Sequence, residues 1–342
     1  MSGRAPSLTS SQLRSLRRTL LRWYDTNRRD LPWRRNRDPY RIWISEIMLQ
    51  QTRVAAVLDH YARFLRRFPT IKSLAAARES SVLAMWSGLG YYHRARRMHQ
   101  AVKLIARERR GRFPRTAEDW ASLPGIGRYT AAAIASISFG EAVAVVDGNV
   151  ERVLQRLHGE AQGKEAAWQQ AGILLDRKRP GDFNQAMMEL GATICTPRAP
   201  QCPLCPLNLF CESRGAERPR LQAARKRQAI SYALARRSSS LLLVRRPAEA
   251  SLMAGMWELP SLPPGLTNGA VPLLQLRHSI TDTDYHVAVF AMLPDQLHDA
   301  ATNAQWFTYR QCQRLPLTGL TRKVLRRLAL ASNDSTVESI CR

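Results

Sequence analysis

The sequence predicts a two-domain chain: an all-helical domain over residues 1–212 and an α+β domain over residues 230–342, joined by a basic linker over 213–229. Three observations carry that expectation. Over residues 13–188, amphipathic or alanine-rich stretches of helix length follow one another between Pro and Gly punctuation, without convincing strand alternation. Residues 213–229 then hold six Lys or Arg, one Glu and a proline with no apolar period, which fits an exposed connector. Beyond it, apolar runs shorten to strand length at 231–235, 240–244 and 286–293, and a helical pattern closes the chain over 320–330.

Taken in order, residues 1–24 are rich in Ser and Arg and poor in acids, a composition that organellar transit peptides share. Leu13, Leu16, Leu20, Leu21 and Trp23 also fall at helical spacing, and an amphipathic helix of the folded domain is the preferred reading. The run Trp43-Ile44-Ser45-Glu46-Ile47-Met48-Leu49 places a single acid in an apolar helix. Residues 117–123 and 128–139 read as two helices, so Pro124-Gly125-Ile126-Gly127 between them is a tight hairpin. Gly125 and Gly127 leave the backbone free to take positive angles, and amides at the second helix's start can converge on an anion. Asp147 follows the apolar run 142–146 and precedes Gly148, Asn149 and the helical residues 150–157, a position that equally suits a helix cap.

Composition narrows the partners. Lys and Arg number 52 against 27 acids, a net charge of +25, which points to a polyanion, with nucleic acid first. Six arginines against two aspartates crowd residues 28–41, and eight Lys or Arg against Glu108 alone crowd residues 94–112. No apolar run reaches the ~18 residues of a bilayer span, and no secretory signal core is visible. A reducing compartment is therefore expected, and the expected setting is a monomer in the cytoplasm beside a bacterial nucleoid.

Cys195, Cys202, Cys205 and Cys211 lie within seventeen residues, separated by six, two and five, a density that implies one metal centre. Structural zinc usually takes two short-spaced pairs, whereas a single Cys-x-x-Cys stands here inside a proline-rich loop; spacing favours an iron-sulfur cluster and leaves zinc open. That loop also projects Arg198 outwards, towards a phosphate. Glu46, flanked by apolar residues, should be partly desolvated, which raises the pKa as a general acid near neutral pH requires. With a second carboxylate at Asp147 and an anion-gripping hairpin, the pattern suggests cleavage of a glycosidic bond on a nucleotide.

These residues resemble the MutY family of adenine DNA glycosylases, within the helix-hairpin-helix glycosylase superfamily, through residues 43–52, 123–131, 146–153 and 183–192 and the cysteine quartet. The resemblance implies a mainly α helix-hairpin-helix glycosylase fold with a 4Fe-4S cluster on the four cysteines. It implies duplex DNA as partner, with adenine opposite 8-oxo-guanine or guanine flipped into a cleft. Glu46 would protonate adenine, Asp147 would stabilise the sugar cation, and Asn149 would hold the polar network. Trp33, Arg34, Leu49 and Gln185 would line the base pocket. Gln51, Thr52 and Tyr91 would enter the opened stack, while Gly125, Ile126, Gly127 and Arg128 grip the backbone. Tyr129 stands where bifunctional relatives such as endonuclease III carry a lysine nucleophile, which implies base removal without strand cleavage. The terminal domain resembles a MutT/Nudix-like domain, best at residues 252–260, without the glutamate-rich magnesium helix; Thr281, in Ile280-Thr281-Asp282, matches a loop that reads the oxidised base.

Overall fold

A computed structural model describes residues 8–159, 163–214, 225–247, 249–250, 253–263, 266–267, 270–280, 283–297 and 303–328. The chain divides into two compact units, Met1–Ala75 with Arg97–Arg220, and Ala76–Arg96 with Leu221–Arg342. The short segment 76–96, inside the stretch expected for the first domain, thus groups with the second unit.

In the first unit α1 (Ser10–Asn27) starts at a capping box, in which Thr9 accepts from the Gln12 amide and the Gln12 side chain accepts from the Thr9 amide. Asp38 caps α2 (Pro39–Leu49), with Pro39 in the first turn, where a missing N–H costs nothing. α3 (Val54–Arg67) and α4 (Ile71–Ala75) follow. α6 (Tyr92–Glu108) begins in the second unit, after α5 (Glu79–Trp86), and runs on into the first. α7 (Ala117–Ala121) is capped by Thr116 and leads through the hairpin into α8 (Arg128–Phe139). Residues 130–137 of α8 are all buried; six are Ala, Ser or Thr, and such small side chains let α2, α7 and α11 (Pro180–Thr193) approach it closely. α9 (Gly148–Leu157) and α10 (Lys164–Leu174) complete the bundle. Leu16, Leu20 and Tyr24 of α1 share one core with Leu154, Leu174, Phe183 and Leu190, and Cys195, Cys205 and Cys211 pack against it.

Gly181 marks a close helix approach. A Cβ there would stand 2.6 Å from the Ser136 carbonyl oxygen and 2.7 Å from the Ile137 Cα, both backbone atoms that cannot swing aside. Gly181→Ala is therefore expected to destabilise the protein by about 1–3 kcal/mol, read as a lowered urea midpoint with unchanged slope.

The second unit holds β1 (Lys226–Leu234), β2 (Arg236–Arg237), β3 (Ser240–Arg245), β4 (Trp257–Glu258), β5 (Ser261–Leu262), β6 (Leu274–Ile280), β7 (Thr283–Ala291) and β8 (Ala304–Thr308). One sheet runs β5-β1-β7-β6, with β1 and β7 parallel and the outer pairs antiparallel; in the other, β3 pairs with β2, β4 and β8. Alternation serves two cores. Tyr232, Leu234, Leu241, Leu243, Val287 and Val289 face one, which α12 (Tyr309–Cys312) and α13 (Gly319–Arg327) cover, and Ala233, Leu242 and Phe290 face the other. Ser87 and Tyr92 hydroxyls both donate to the Leu317 carbonyl at 3.2 Å, and Arg96 donates to the Ala254 carbonyl, which holds segment 76–96 in this unit. β1 begins at Lys226, inside the expected linker, while β6 and β8 were not anticipated from sequence. Thr281 lies outside the described residues.

Candidate active site

Within the first unit one cavity of about 820 Å3 gathers Trp33, Arg34, Glu46, Leu49, Gln51, Thr52, Gly125, Gly127, Tyr129, Asp147, Asn149 and Gln185. They arrive from five places in the chain: the turn after α1, the α2 helix with its exit, the hairpin and α8, the start of α9, and the middle of α11.

Glu46 sits on α2 with 6% of its surface exposed. Burial pushes its carboxyl up to about 7; the Tyr129 hydroxyl and Arg34 pull it down, and Asp147 pushes it up. Tyr129 donates to Glu46 Oε2 at 2.8 Å and also lies 3.4 Å from the Met188 sulfur. Burial, then the Glu46 and Asp147 charges, raises the Tyr129 phenol well above its ordinary range, so it remains a donor. At the exit of α2, Gln50 Nε2 donates to Thr130 Oγ1 at 3.1 Å and ties the helix bearing the acid to the hairpin helix.

Asp147 is the N-cap of α9. Its Oδ1 accepts from the Asn149 and Val150 amides at 2.9 and 2.7 Å, and its Oδ2 from Asn149 Nδ2 at 3.1 Å. Capping and lining the cavity are thus one role of geometry, since the cap turns the carboxylate towards the open end of its helix. Asn149 is held in turn by Arg152, whose Nη2 donates to Asn149 Oδ1 at 2.9 Å and to the Gly191 carbonyl at 2.6 Å, while its Nε donates to the Cys195 carbonyl.

Gly125 takes φ +76°, and a Cβ there would strike the Cβ of Arg97, so glycine is required twice over. Gly127 corrects the expectation of positive angles at both glycines. Its φ is −88°, and its value is open space, with nothing within 4 Å of a Cβ, beside the amides that begin α8. Ile126 is buried beneath the turn. The Arg128 side chain pairs with Glu165 at 2.8 Å and lies 4.1 Å over the Trp168 ring, so the chain offers its amide rather than its guanidinium at the turn. Arg198 is exposed on the cysteine loop, away from the cavity. Tyr91 belongs to the second unit, with the Arg94 guanidinium 5.2 Å over its ring. Gln51 and Tyr91 are both non-glycine residues with left-handed backbones, at φ 55° and 47°.

Sequence reasoning missed Glu189. It is a second lone acid in an apolar helical run, Met187-Met188-Glu189-Leu190, the same signal that marked Glu46. Burial alone would raise its pKa, but hydrogen bonds from Arg29 at 2.8 and 2.7 Å and from Arg34 at 2.8 Å outweigh burial and hold the carboxyl at about 2. The cavity therefore has a permanently ionised wall at Glu189 and a protonatable one at Glu46.

The four cysteines are free thiols that line one apolar pocket of about 30 Å3, with Arg156 Nη1 3.3 Å from Cys195 Sγ. Among the described residues no three metal-ligating side chains close around a single ion. Four cysteine sulfurs around one pocket are the donor set that zinc and iron–sulfur centres both use.

Fold and site together define a helix-hairpin-helix base-excision DNA repair protein, and residues 44–171 match the HhH-GPD superfamily of such proteins. The chain belongs to the adenine DNA glycosylase family. It is 35% identical to adenine DNA glycosylase of Mus musculus over 399 aligned positions, covering 91% of this chain and 77% of that one. With the Homo sapiens adenine DNA glycosylase it shares 47% identity over 219 residues, 60% of this chain but 40% of the human one. The match thus spans less than half the human relative's length. Among solved structures, a thermostable thymine-DNA glycosylase superposes with a TM-score of 0.57 at 31% identity, over 61% of this chain and 99% of that chain. An endonuclease III–DNA covalent intermediate, at 24% identity and TM-score 0.53, shares the fold.

Proposed function

We propose that the chain is a monofunctional adenine DNA glycosylase that hydrolyses the N-glycosidic bond of adenine opposite 8-oxo-guanine or guanine in duplex DNA. The observation that carries this reading is the pairing of Glu46, half-protonated near pH 7, with the Asp147 carboxylate in one cavity beside the hairpin. An extruded adenine enters between Trp33, Leu49 and Met188, with Gln185, Arg34 and Glu189 offering donors and an acceptor to its edge. Glu46 gives its proton to the imidazole ring of adenine, so the base leaves neutral, and Tyr129 holds the resulting carboxylate by hydrogen bond. Asp147 faces the positive charge that grows on the sugar as the bond stretches, and its anion guides water to C1′.

Among the described residues no lysine lines this cavity, and the phenol of Tyr129 forms no imine, which supports hydrolysis without strand cleavage. Cys195, Cys202, Cys205 and Cys211 would hold a 4Fe-4S cluster, which would supply a rigid covalent clasp for the loop after α11. The second unit would read 8-oxo-guanine through a MutT-like sheet, with Thr281 as the residue whose hydroxyl matches the reading loop of the family.

Single-turnover cleavage of adenine opposite 8-oxo-guanine, guanine and thymine tests the reading. Free adenine should appear fastest with 8-oxo-guanine, and strand breaks only after alkali; efficient cutting without alkali, with borohydride trapping, sinks it. For the cluster, the purified protein should be brown and contain iron and labile sulfide in equal amounts, and colourless protein with stoichiometric zinc is the contrary result.

A further inference from the structure

The first turn of α11 lines a second cavity, of about 320 Å3, within the first unit. That volume falls at the low end of the range for small-molecule pockets, ~300–1,000 Å3. Six cationic side chains line it against the single carboxylate of Asp182. Three of the six are matched already: Arg34 by Glu189, Arg35 by Asp30, and Arg179 by Asp25 and Asp182. Arg28, Arg37 and Lys178 make no ion pair among the described residues, so the cavity keeps an uncompensated positive charge.

Backbone dipoles reinforce the side chains. Pro180, Gly181 and Asp182 belong to the lining, and Arg179 supplies no side-chain cap, so the positive end of this fourteen-residue helix borders the cavity uncapped by a side chain. The C-terminal end of α8 borders the same cavity, where two of its carbonyls are engaged: Gly140 N–H donates to Ser136 O, and Glu141 N–H donates to Ala135 O. The negative end of one helix is thus partly engaged, while the positive end of the other has no side-chain cap. Arg28 and Arg34 are themselves held in place, their guanidiniums 5.7 and 5.6 Å from the ring centre of Tyr24, whose fully buried hydroxyl has no partner.

This cavity lies apart from the DNA grip. The hairpin begins α8, whereas Ser136, Ile137 and Gly140 line the cavity at the other end of that twelve-residue helix, about 18 Å along its axis. Yet Arg34 and Gln185 line both cavities. We propose that the second cavity binds a small, free, phosphate-bearing anion of pyrophosphate size. A negative charge there competes with Glu189 for Arg34, and occupancy is felt in the base cavity.

Full-length protein titrated with pyrophosphate in metal-free buffer, at ionic strength held constant with chloride, should show saturable one-to-one binding by calorimetry. Arg37→Gln with Lys178→Gln should weaken it by about tenfold or more, since each contact is a charge-assisted hydrogen bond. The same binding should persist when a short duplex saturates the hairpin. Non-saturable heat, unchanged affinity in the double variant, or complete displacement by the duplex overturns the site; displacement would assign the phosphate chemistry to DNA backbone. Under single turnover, pyrophosphate should change the adenine release rate of the parent protein and not of the double variant; an unchanged parent rate overturns the link to Arg34. Binding is read without any substrate, so its failure is distinguishable from failure of the glycosylase reading.

Discussion

Replacing Glu46 by Gln should abolish adenine release while making the protein more stable in alkali. The amide still accepts from Tyr129 but has no proton to give, so the single-turnover rate should fall by ~10²–10⁴-fold, the range for a lost general acid. Stability moves the other way because of the raised pKa. A carboxyl whose folded pKa lies above its unfolded value binds more protons folded than unfolded, so the folded state loses stability as pH rises from 4.5 through about 7. The neutral amide has no such loss. Glu46→Gln should therefore unfold at a higher denaturant midpoint than the parent at pH 8, with an unfolding free energy larger by about 3 kcal/mol at most, and at a similar midpoint at pH 4. In the parent enzyme the same carboxyl should set the alkaline limb of kcat/KM, with about a tenfold fall per unit above about pH 7. A variant with full activity, or a flat profile between pH 7 and 9, would remove Glu46 from the chemistry.

Asp147→Asn should separate a cap from a catalyst. Asparagine caps helices as well as aspartate does, and its Oδ1 can take over the hydrogen bonds from the Asn149 and Val150 amides. The unfolding free energy should therefore stay within ~1 kcal/mol of the parent. What disappears is the negative charge facing the sugar, along with the acceptor for Asn149 Nδ2. A loss of ~10²–10³-fold in the rate of base release is expected, the size found when a group aimed at developing charge is removed. Asp147→Ala loses both roles, so the two variants should differ in unfolding midpoint far more than in rate. Should Asp147→Asn keep its activity, the residue is a cap alone.

The parts of this molecule that could be read from sequence are those with local punctuation. Pro124, Gly125 and Gly127 bracket the hairpin, and the observed α7 and α8 (Ala117–Ala121, Arg128–Phe139) fall on either side of it. A lone acid in an apolar helix drew attention to Glu46, and four closely spaced thiols to one loop. Glu189 carried the same signal and was passed over, because its meaning depends on Arg29 and Arg34, some 155–160 residues away in the chain. Arg128 invited assignment to a phosphate, and only the approach of Glu165 and Trp168 from α10 shows that its side chain is already engaged. In the second unit, the parallel pairing of β1 with β7 and the grouping of residues 76–96 around the Leu317 carbonyl are products of long-range packing, which alternation along one strand does not encode.

The left-handed backbone at Gln51 has a consequence for anyone who evolves this protein in the laboratory. A side chain there costs about 1 kcal/mol relative to glycine, so selection for heat resistance alone should drift towards Gln51→Gly. Such a winner would retain the cavity walls behind it and lose the Gln51 side-chain amide that lines the cavity. Thermal screens would reward the change at the bench, and a screen for mutation suppression in living cells would discard it.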